Sequence, residues 1–169
     1  MGEYQNSLVK ADTERLLEVL QNIIENAIKY GSDKKIGISI SKEEDCVLIT
    51  VENTGEVLPA EELPHLFDSF YRGSNAGSQE GSGLGLYICR KLMHKMNGDV
   101  FLKQEKNLFS VSSSARQSNS FAKSARVFPA IFPIACDSIL CSVEIYNYFY
   151  GDRGIPGNRC HESHRNYGL

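Results

Sequence analysis

The chain has 169 residues, 41% of them hydrophobic, which is enough to bury the core of one ordinary domain. Its formal net charge of −3 argues against a nucleic-acid partner, because such proteins usually carry a strongly basic surface. It opens without a signal-peptide pattern and contains no apolar run of about 18 residues, so we expect a cytoplasmic domain with no membrane span in this chain.

The first predicted element is an amphipathic helix over about residues 13–30. Between Leu16 and Ile28, leucine, isoleucine and alanine residues recur at helical spacing, and they form one broad apolar face. Glutamates and a glutamine occupy the opposite face. Asp12 is the candidate N-cap and Gly31 the candidate C-cap, so both ends of the helix are marked in the sequence.

The elements that follow alternate between strand and helix patterns. Alternating isoleucines and valines predict a hairpin with strands near residues 36–41 and 47–51. Four more elements are expected: a short helix at about 60–65, a Gly- and Ser-rich loop over 72–82, a helix over about 84–96 and a hairpin over about 99–111. Helices beside mixed strands predict an α/β two-layer sandwich, in which helices cover one face of a mixed sheet.

The composition changes near residue 111, and the chain is predicted to have two unequal parts. Of the 21 acidic residues, 17 lie within residues 1–111. Residues 112–120 are rich in serine and lack apolar periodicity, which is typical of a polar linker. We therefore expect one domain over residues 1–111, followed by a linker and an atypical C-terminal tail over residues 112–169.

One edge of the first helix carries a polar stripe. Asn22, Asn26, Lys29 and Tyr30 fall within about 100° of one another on the helical wheel. Carboxamide oxygens suit Mg²⁺, an ammonium group can meet phosphate, and an aromatic ring can stack on a base. The stripe is compatible with a Mg–nucleotide site, and also with a plain polar rim beside the core.

A glycine-rich run, Gly81-Ser-Gly-Leu-Gly-Leu86, leads straight into a predicted helix. Glycines let a ligand approach the backbone, and the free N–H groups of a first helical turn favour anions such as phosphate. No Lys-Ser/Thr follows to make a P-loop, and no strand precedes the run as in a dinucleotide fingerprint. Alone, the run is equally compatible with a flexible connection.

Four blocks in this order resemble the N, G1, F and G2 boxes of the catalytic, ATP-binding domain of bacterial sensor histidine kinases. The blocks are Asn22–Tyr30, Val51–Gly55, Leu66–Arg72 and Gly81–Leu86, and the resemblance covers about residues 8–111. It implies the Bergerat ATP-binding fold, which gyrase-type and Hsp90-type ATPases share. It also implies a transferase of two-component signal transduction, which moves the γ-phosphoryl group of Mg–ATP to a His on a separate dimerisation domain.

The resemblance implies a role for single residues. Asn26 would be the Mg²⁺ ligand, and Asn22 its neighbour one turn earlier. Lys29 would contact phosphate or ribose, Tyr30 would lie against adenine, and Arg72 would approach the terminal phosphate, so Asn22, Asn26 and Arg72 form the expected catalytic set. The other expected nucleotide-binding residues are Asn53, which would meet the adenine amino group, and Gly55, Gly81, Gly83, Leu84 and Gly85.

Two features depart from the family pattern. Asn53 stands where the first glycine box commonly has Asp, and Val57 stands where its second Gly would be. Only residues 1–11 precede the ATP-binding part, so we expect the dimerisation helix with the acceptor His to be absent here. A degenerate or non-catalytic nucleotide-binding module and an anti-sigma-type serine kinase therefore stay open as alternatives.

The resemblance also names partners. ATP and ADP would be the ligands, and the protein partner would be a His-containing dimerisation domain or a response-regulator pathway protein. The resemblance is also compatible with a membrane-attached parent kinase, although we expect no span in this chain.

Overall fold

A computed structural model describes residues 8–43, 45–117, 125–126 and 144–147 of the chain. Two helices, α1 (Thr13–Tyr30) and α2 (Gly85–Lys95), pack on one face of a curled sheet. The described strands are β1 (Leu8–Val9), β2 (Gly31–Lys42), β3 (Cys46–Gly55), β4 (Asp99–Glu105), β5 (Leu108–Arg116), β6 (Ala125–Arg126) and β7 (Glu144–Asn147). Five of them form the sheet in the order β4-β5-β3-β2-β7, and β1 pairs with β6. The predicted α/β two-layer fold is confirmed.

Helix α1 has the predicted bounds and supplies much of the core. Its buried residues are Leu16, Val19, Leu20, Ile23, Ile24 and Ala27. The Asp12 carboxylate accepts a hydrogen bond from the backbone N–H of Arg15 at 3.1 Å, so the predicted N-cap is confirmed. Gly31 ends the helix in an extended conformation, with φ −71°, and not in the left-handed one. A Cβ there would lie 2.6 Å from the Ala27 carbonyl oxygen, so close packing requires the glycine.

The sheet presents an apolar row to the helices. Ile38 of β2 pairs with Val51 of β3, and Val51 also pairs with Val111 of β5. All three side chains are buried. Because side chains two positions apart share a face, Asn53 continues this row beyond Val51. The row therefore ends in a carboxamide near the end of the sheet.

Strand β5 is longer than the sequence predicts. It continues to Arg116, so the expectation of a linker starting at Ser112 is wrong for residues 112–116. Ser112, Ser113 and Ser114 are buried, and the Ser112 and Thr50 hydroxyls lie 2.8 Å apart between β5 and β3. These hydroxyls satisfy one another inside the sheet, which composition alone does not reveal.

Part of the predicted tail also pairs with the sheet. Strand β7 runs parallel to β2, with Ile145 beside Ile36. Of the tail, only residues up to 117, 125–126 and 144–147 are described, and the rest lies outside the described residues.

The remaining elements differ from expectation only in detail. The predicted short helix is a 3₁₀ helix over Leu63–Phe67, and a second 3₁₀ turn, Ser74–Ala76, lies inside the predicted glycine- and serine-rich loop. Helix α2 is followed by Asn97 with φ 57°, a left-handed conformation that Asn tolerates. In the described part of the chain, no helix is long and apolar enough to cross a membrane.

We expect replacement of Asp12 by Ala to lower the free energy of unfolding by about 1 kcal/mol, because the Arg15 N–H loses its acceptor. Urea denaturation measures the change. Glu14→Ala is the matched control, since Glu14 lies in the same first turn without capping the helix and should cost only a few tenths of a kcal/mol, about the value of a helix-dipole contact. Equal costs for the two variants would contradict the capping role.

Candidate functional site

A cleft of about 300 Å³ opens between α1, the adjoining end of the sheet and the loop before α2. Its buried lining is largely apolar and includes Ile23, Val51 and Leu58. Its exposed lining is polar and includes Arg72 and Ser82. A cleft with an apolar interior and a few polar groups is the usual form of a small-molecule site, and this one suits a ligand with a flat part and a charged part.

The polar stripe of α1 lines this cleft. Asn22 donates through Nδ2 to the Glu18 carbonyl at 2.9 Å, while Asn26 makes no side-chain hydrogen bond to any described residue. A Cβ built on Gly85 would lie 3.6 Å from Asn22 Oδ1 and 3.5 Å from Asn26 Nδ2. The first turn of α2 therefore faces both carboxamides across a gap that a side chain would fill.

Lys29 and Tyr30 stand at the end of the same stripe. The Lys29 Nζ atom lies 5.1 Å from the centroid of the Tyr30 ring. It would also lie 2.7 Å from a Cβ on Gly81. The ammonium group is thus between an aromatic ring and the glycine-rich loop, where it can meet an anion.

At Gly83 both the backbone conformation and the surroundings exclude a side chain. Its φ is 69°, and a Cβ would lie 2.6 Å from the Tyr71 carbonyl oxygen and 2.7 Å from the Phe70 carbonyl carbon. Phe70 is itself left-handed, with φ 63°, and its side chain is 71% exposed. The backbone before α2 therefore packs directly on the F-box segment.

Asn53 is nearly buried in the cleft, with 8% of its surface exposed. Its Nδ2 atom donates to the Thr54 carbonyl at 3.3 Å, and its Oδ1 atom makes no hydrogen bond to a described residue. A ligand entering the cleft meets this oxygen as an acceptor.

Two predicted site residues do not line the cleft. Gly55 donates its N–H to the Asn107 carbonyl at 2.8 Å, and a Cβ there would lie 2.9 Å from the Tyr30 carbonyl oxygen. Leu84 occupies the N-cap position of α2 without a side-chain capping hydrogen bond. The cleft brings together the others: Asn22, Asn26, Lys29, Tyr30, Asn53, Arg72, Gly81, Gly83 and Gly85.

The segment over residues 73–80 is held at both ends, and we call it the lid. Arg72 donates from Nη2 to the Gln79 carbonyl near the far end. At the near end, Glu62 accepts a hydrogen bond from the Ser74 N–H at 2.8 Å, and this bond holds the pKa of Glu62 below its usual value. Sequence reasoning missed Glu62, because only the fold brings it beside Ser74.

Comparison with known proteins identifies the family. Residues 11–121 match the model of histidine kinase-, DNA gyrase B- and HSP90-like ATPases. The chain belongs to this ATPase family. Membership in the ATPase family implies that the domain binds ATP, and the resemblance seen in the four sequence boxes is confirmed at the level of the family.

Similar proteins of this ATPase family are sensor histidine kinases. RcsC of Escherichia coli K12 is 29% identical over 163 residues, which make up 95% of this chain and 15% of RcsC. YkoH of Bacillus subtilis is 35% identical over 103 residues, or 60% of this chain and 22% of YkoH. The chain thus spans less than a quarter of the length of either relative.

Solved structures of histidine kinases share the fold. The catalytic domain of histidine kinase ThkA has a TM-score of 0.55 at 28% identity, over 63% of this chain and 70% of that one. A mycobacterial sensor histidine kinase, MprB, has a TM-score of 0.59 at 22% identity, over 64% of this chain and 76% of that one, and supports the fold alone.

Replacing Gly83 with Ala should destabilise the domain more than replacing Gly77 with Ala. Both glycines have positive φ, so both variants carry a backbone cost of about 1–3 kcal/mol. Only at Gly83 does the new Cβ also collide with backbone, since nothing lies within 4 Å of a Cβ on Gly77. Urea denaturation of the two variants gives the comparison, and equal costs would show that the close packing at Gly83 is not maintained in solution.

Proposed function

We propose that this chain is the Mg–ATP-binding catalytic domain of a two-component sensor histidine kinase, working in the cytoplasm. The observation that supports this most is the arrangement of the cleft. Asn22 and Asn26 face the first turn of α2 at its polar side, and Asn53 lies in its buried part. A nucleotide needs these two surroundings at once, one for its charged phosphates and one for its base.

The polar side of the cleft fits a triphosphate with a divalent cation. Mg²⁺ prefers oxygen ligands and usually takes one or two from the protein, which the carboxamides of Asn26 and Asn22 can supply. When bound, the cation would neutralise charge on the phosphates. Lys29 and the backbone near Gly83 and Gly85 hold and orient the phosphate chain, because an ammonium group and helix-start N–H groups both attract anions.

The buried side of the cleft fits a purine base. In this proposal the Tyr30 ring lies against the base, and Asn53 Oδ1 accepts from the exocyclic amino group of adenine. A carboxamide lacks the charge of the Asp that commonly stands there, so the hydrogen bond is weaker than a charge-assisted one.

Phosphoryl transfer in this proposal depends on position and charge. Arg72 binds the terminal phosphate after leaving its lid contact with Gln79, and so stabilises charge that develops during transfer. The described cleft lining includes neither His nor Cys. In this proposal the acceptor His belongs to a separate dimerisation domain, and it receives the γ-phosphoryl group in line while ADP leaves.

Calorimetric titration of the chain with ATP and ADP, each with and without Mg²⁺, tests the proposal. We expect micromolar dissociation constants, near −8 kcal/mol, and tighter ATP binding with Mg²⁺. Absence of binding up to millimolar nucleotide would instead support a degenerate domain. Transfer of labelled phosphate from ATP to a protein partner distinguishes a histidine kinase from a serine kinase. The label is lost in acid when it is on phosphohistidine and is retained when it is on phosphoserine.

Asn26→Ala should weaken Mg–ATP binding by roughly 1–3 kcal/mol, the usual loss when a charged group loses a partner, while metal-free binding changes little. Alanine favours helix, so circular dichroism should show an unchanged fold. Gln21→Ala is the control, because Gln21 is exposed on α1 and does not line the cleft, and among the described residues its side chain bonds only to Glu25. Parent-like Mg–ATP binding by a folded Asn26→Ala variant would refute the metal assignment.

Asn53→Ala should reduce the preference for ATP over GTP. The lost acceptor serves the amino group of adenine, whereas stacking on Tyr30 tolerates any base. Competition binding of ATP and GTP measures the ratio. The control is Thr54→Val, because the Thr54 hydroxyl bonds with Ser32 and Asp33 and the residue does not line the cleft. An unchanged ratio for Asn53→Ala would remove Asn53 from the base site.

A further inference from the structure

We infer that Gln104 is a positioning residue for nucleotide binding: its side chain fixes the loop that walls the base side of the cleft. Gln104 lies on β4, outside all four sequence boxes, and is not among the cleft-lining residues. Its effect on the ligand would therefore be indirect. The inference builds on the proposed nucleotide site and names a further residue that shapes it.

Gln104 binds both backbone groups of one residue in the loop after β3. The Leu58 N–H donates to Gln104 Oε1 at 3.0 Å, and Gln104 Nε2 donates to the Leu58 carbonyl at 3.0 Å. The side chain thus pairs with Leu58 much as a neighbouring strand would. The two residues are 46 positions apart in the chain, so the bonds join distant segments.

Leu58 is the single anchor of this loop. It is 3% exposed and lines the cleft, whereas the other residues of 56–60 are exposed. Val57, which replaces the second Gly of the family box, is 56% exposed. With one buried side chain in five, the loop has little apolar packing to hold it, and the paired hydrogen bonds supply the missing constraint.

Leu58 also contacts the start of the lid. Its Cδ2 atom would lie 3.2 Å from a Cβ on Gly73, the residue that follows Arg72. On the other side, Gln104 pairs in the sheet with Phe109, which lines the cleft too. A shift of Leu58 would therefore change the wall of the base pocket, which Leu58 and Phe109 line together.

The pairing requires a group that accepts and donates at the same time. A carboxamide does so at every pH, whereas leucine does neither and a carboxylate can only accept. In a Gln104→Glu variant, the second carboxylate oxygen would face the Leu58 carbonyl without a proton between them. Protonation restores a donor beside an acceptor, so the neutral acid reproduces the geometry of the carboxamide.

The experiment measures dissociation constants of Mg–ATP and of inorganic tripolyphosphate for the full chain and its Gln104→Leu and Gln104→Glu variants. Gln104→Leu should bind ATP about tenfold more weakly, the effect of losing two ordinary hydrogen bonds, with tripolyphosphate affinity within about twofold of the parent. Gln104→Glu should show the same defect at pH 7.5 and recover towards the parent at pH 5, because the Leu58 carbonyl facing its carboxylate disfavours the ionised form and raises the pKa of that group. Each variant is compared with the parent at the same pH.

Lys103→Ala is the matched control, because Lys103 neighbours Gln104, points to the opposite face of β4 and pairs with Glu105. It should bind both ligands as the parent does. Parent-like ATP affinity in Gln104→Leu overturns the inference, and so does an equal loss for ATP and tripolyphosphate. If Gln104→Leu does not fold, Gln104→Glu decides, since a defect independent of pH also overturns it. A parent chain that binds no ATP refutes the proposed function as well.

Discussion

The packing of α1 against β2 and β3 is the constraint on which both the core and the cleft depend. The helix buries its apolar face on the central strands, and this fixes its rotation about its own axis. Because Asn22 and Asn26 lie one turn apart beside that face, the same rotation directs both into the cleft. A change in core packing that turned α1 would therefore move the carboxamides away from the glycine-rich loop.

Close backbone contacts then join the other walls of the cleft to one another. Gly83 lies against the backbone of Phe70 and Tyr71, and the Arg90 guanidinium of α2 stands 5.0 Å from the centre of the Phe67 ring. The start of α2 and the F-box segment thus behave as one packed unit. The lid follows this unit in the chain. Glu62 and Arg72 bind its two ends, so groups outside the lid set its position.

The sequence predicted those parts of the fold that depend on local pattern. Apolar periodicity predicted helix α1 and the β2–β3 hairpin, and the residue type before the helix predicted the Asp12 cap. The resemblance of the motifs pointed to nine of the residues that line the cleft. The sequence could not predict contacts between polar residues far apart in the chain. The serines of 112–114 resemble a linker until β5 pairs with β3, and Gln104 and Glu62 gain their partners only in the folded state.

The pairing of β7 with β2 affects how the protein behaves at high concentration. An uncovered strand edge offers unpaired N–H and C=O groups to any other extended chain. Here β7 occupies that edge over residues 35–38, whereas β4 at the other end carries Asp99, Lys103 and Glu105, whose charges oppose edge-to-edge pairing. A chain shortened before residue 144 would keep every residue that lines the cleft, but β2 would become the edge of its sheet. At 12 residues β2 offers a longer row of unpaired groups for self-association than the four-residue β7.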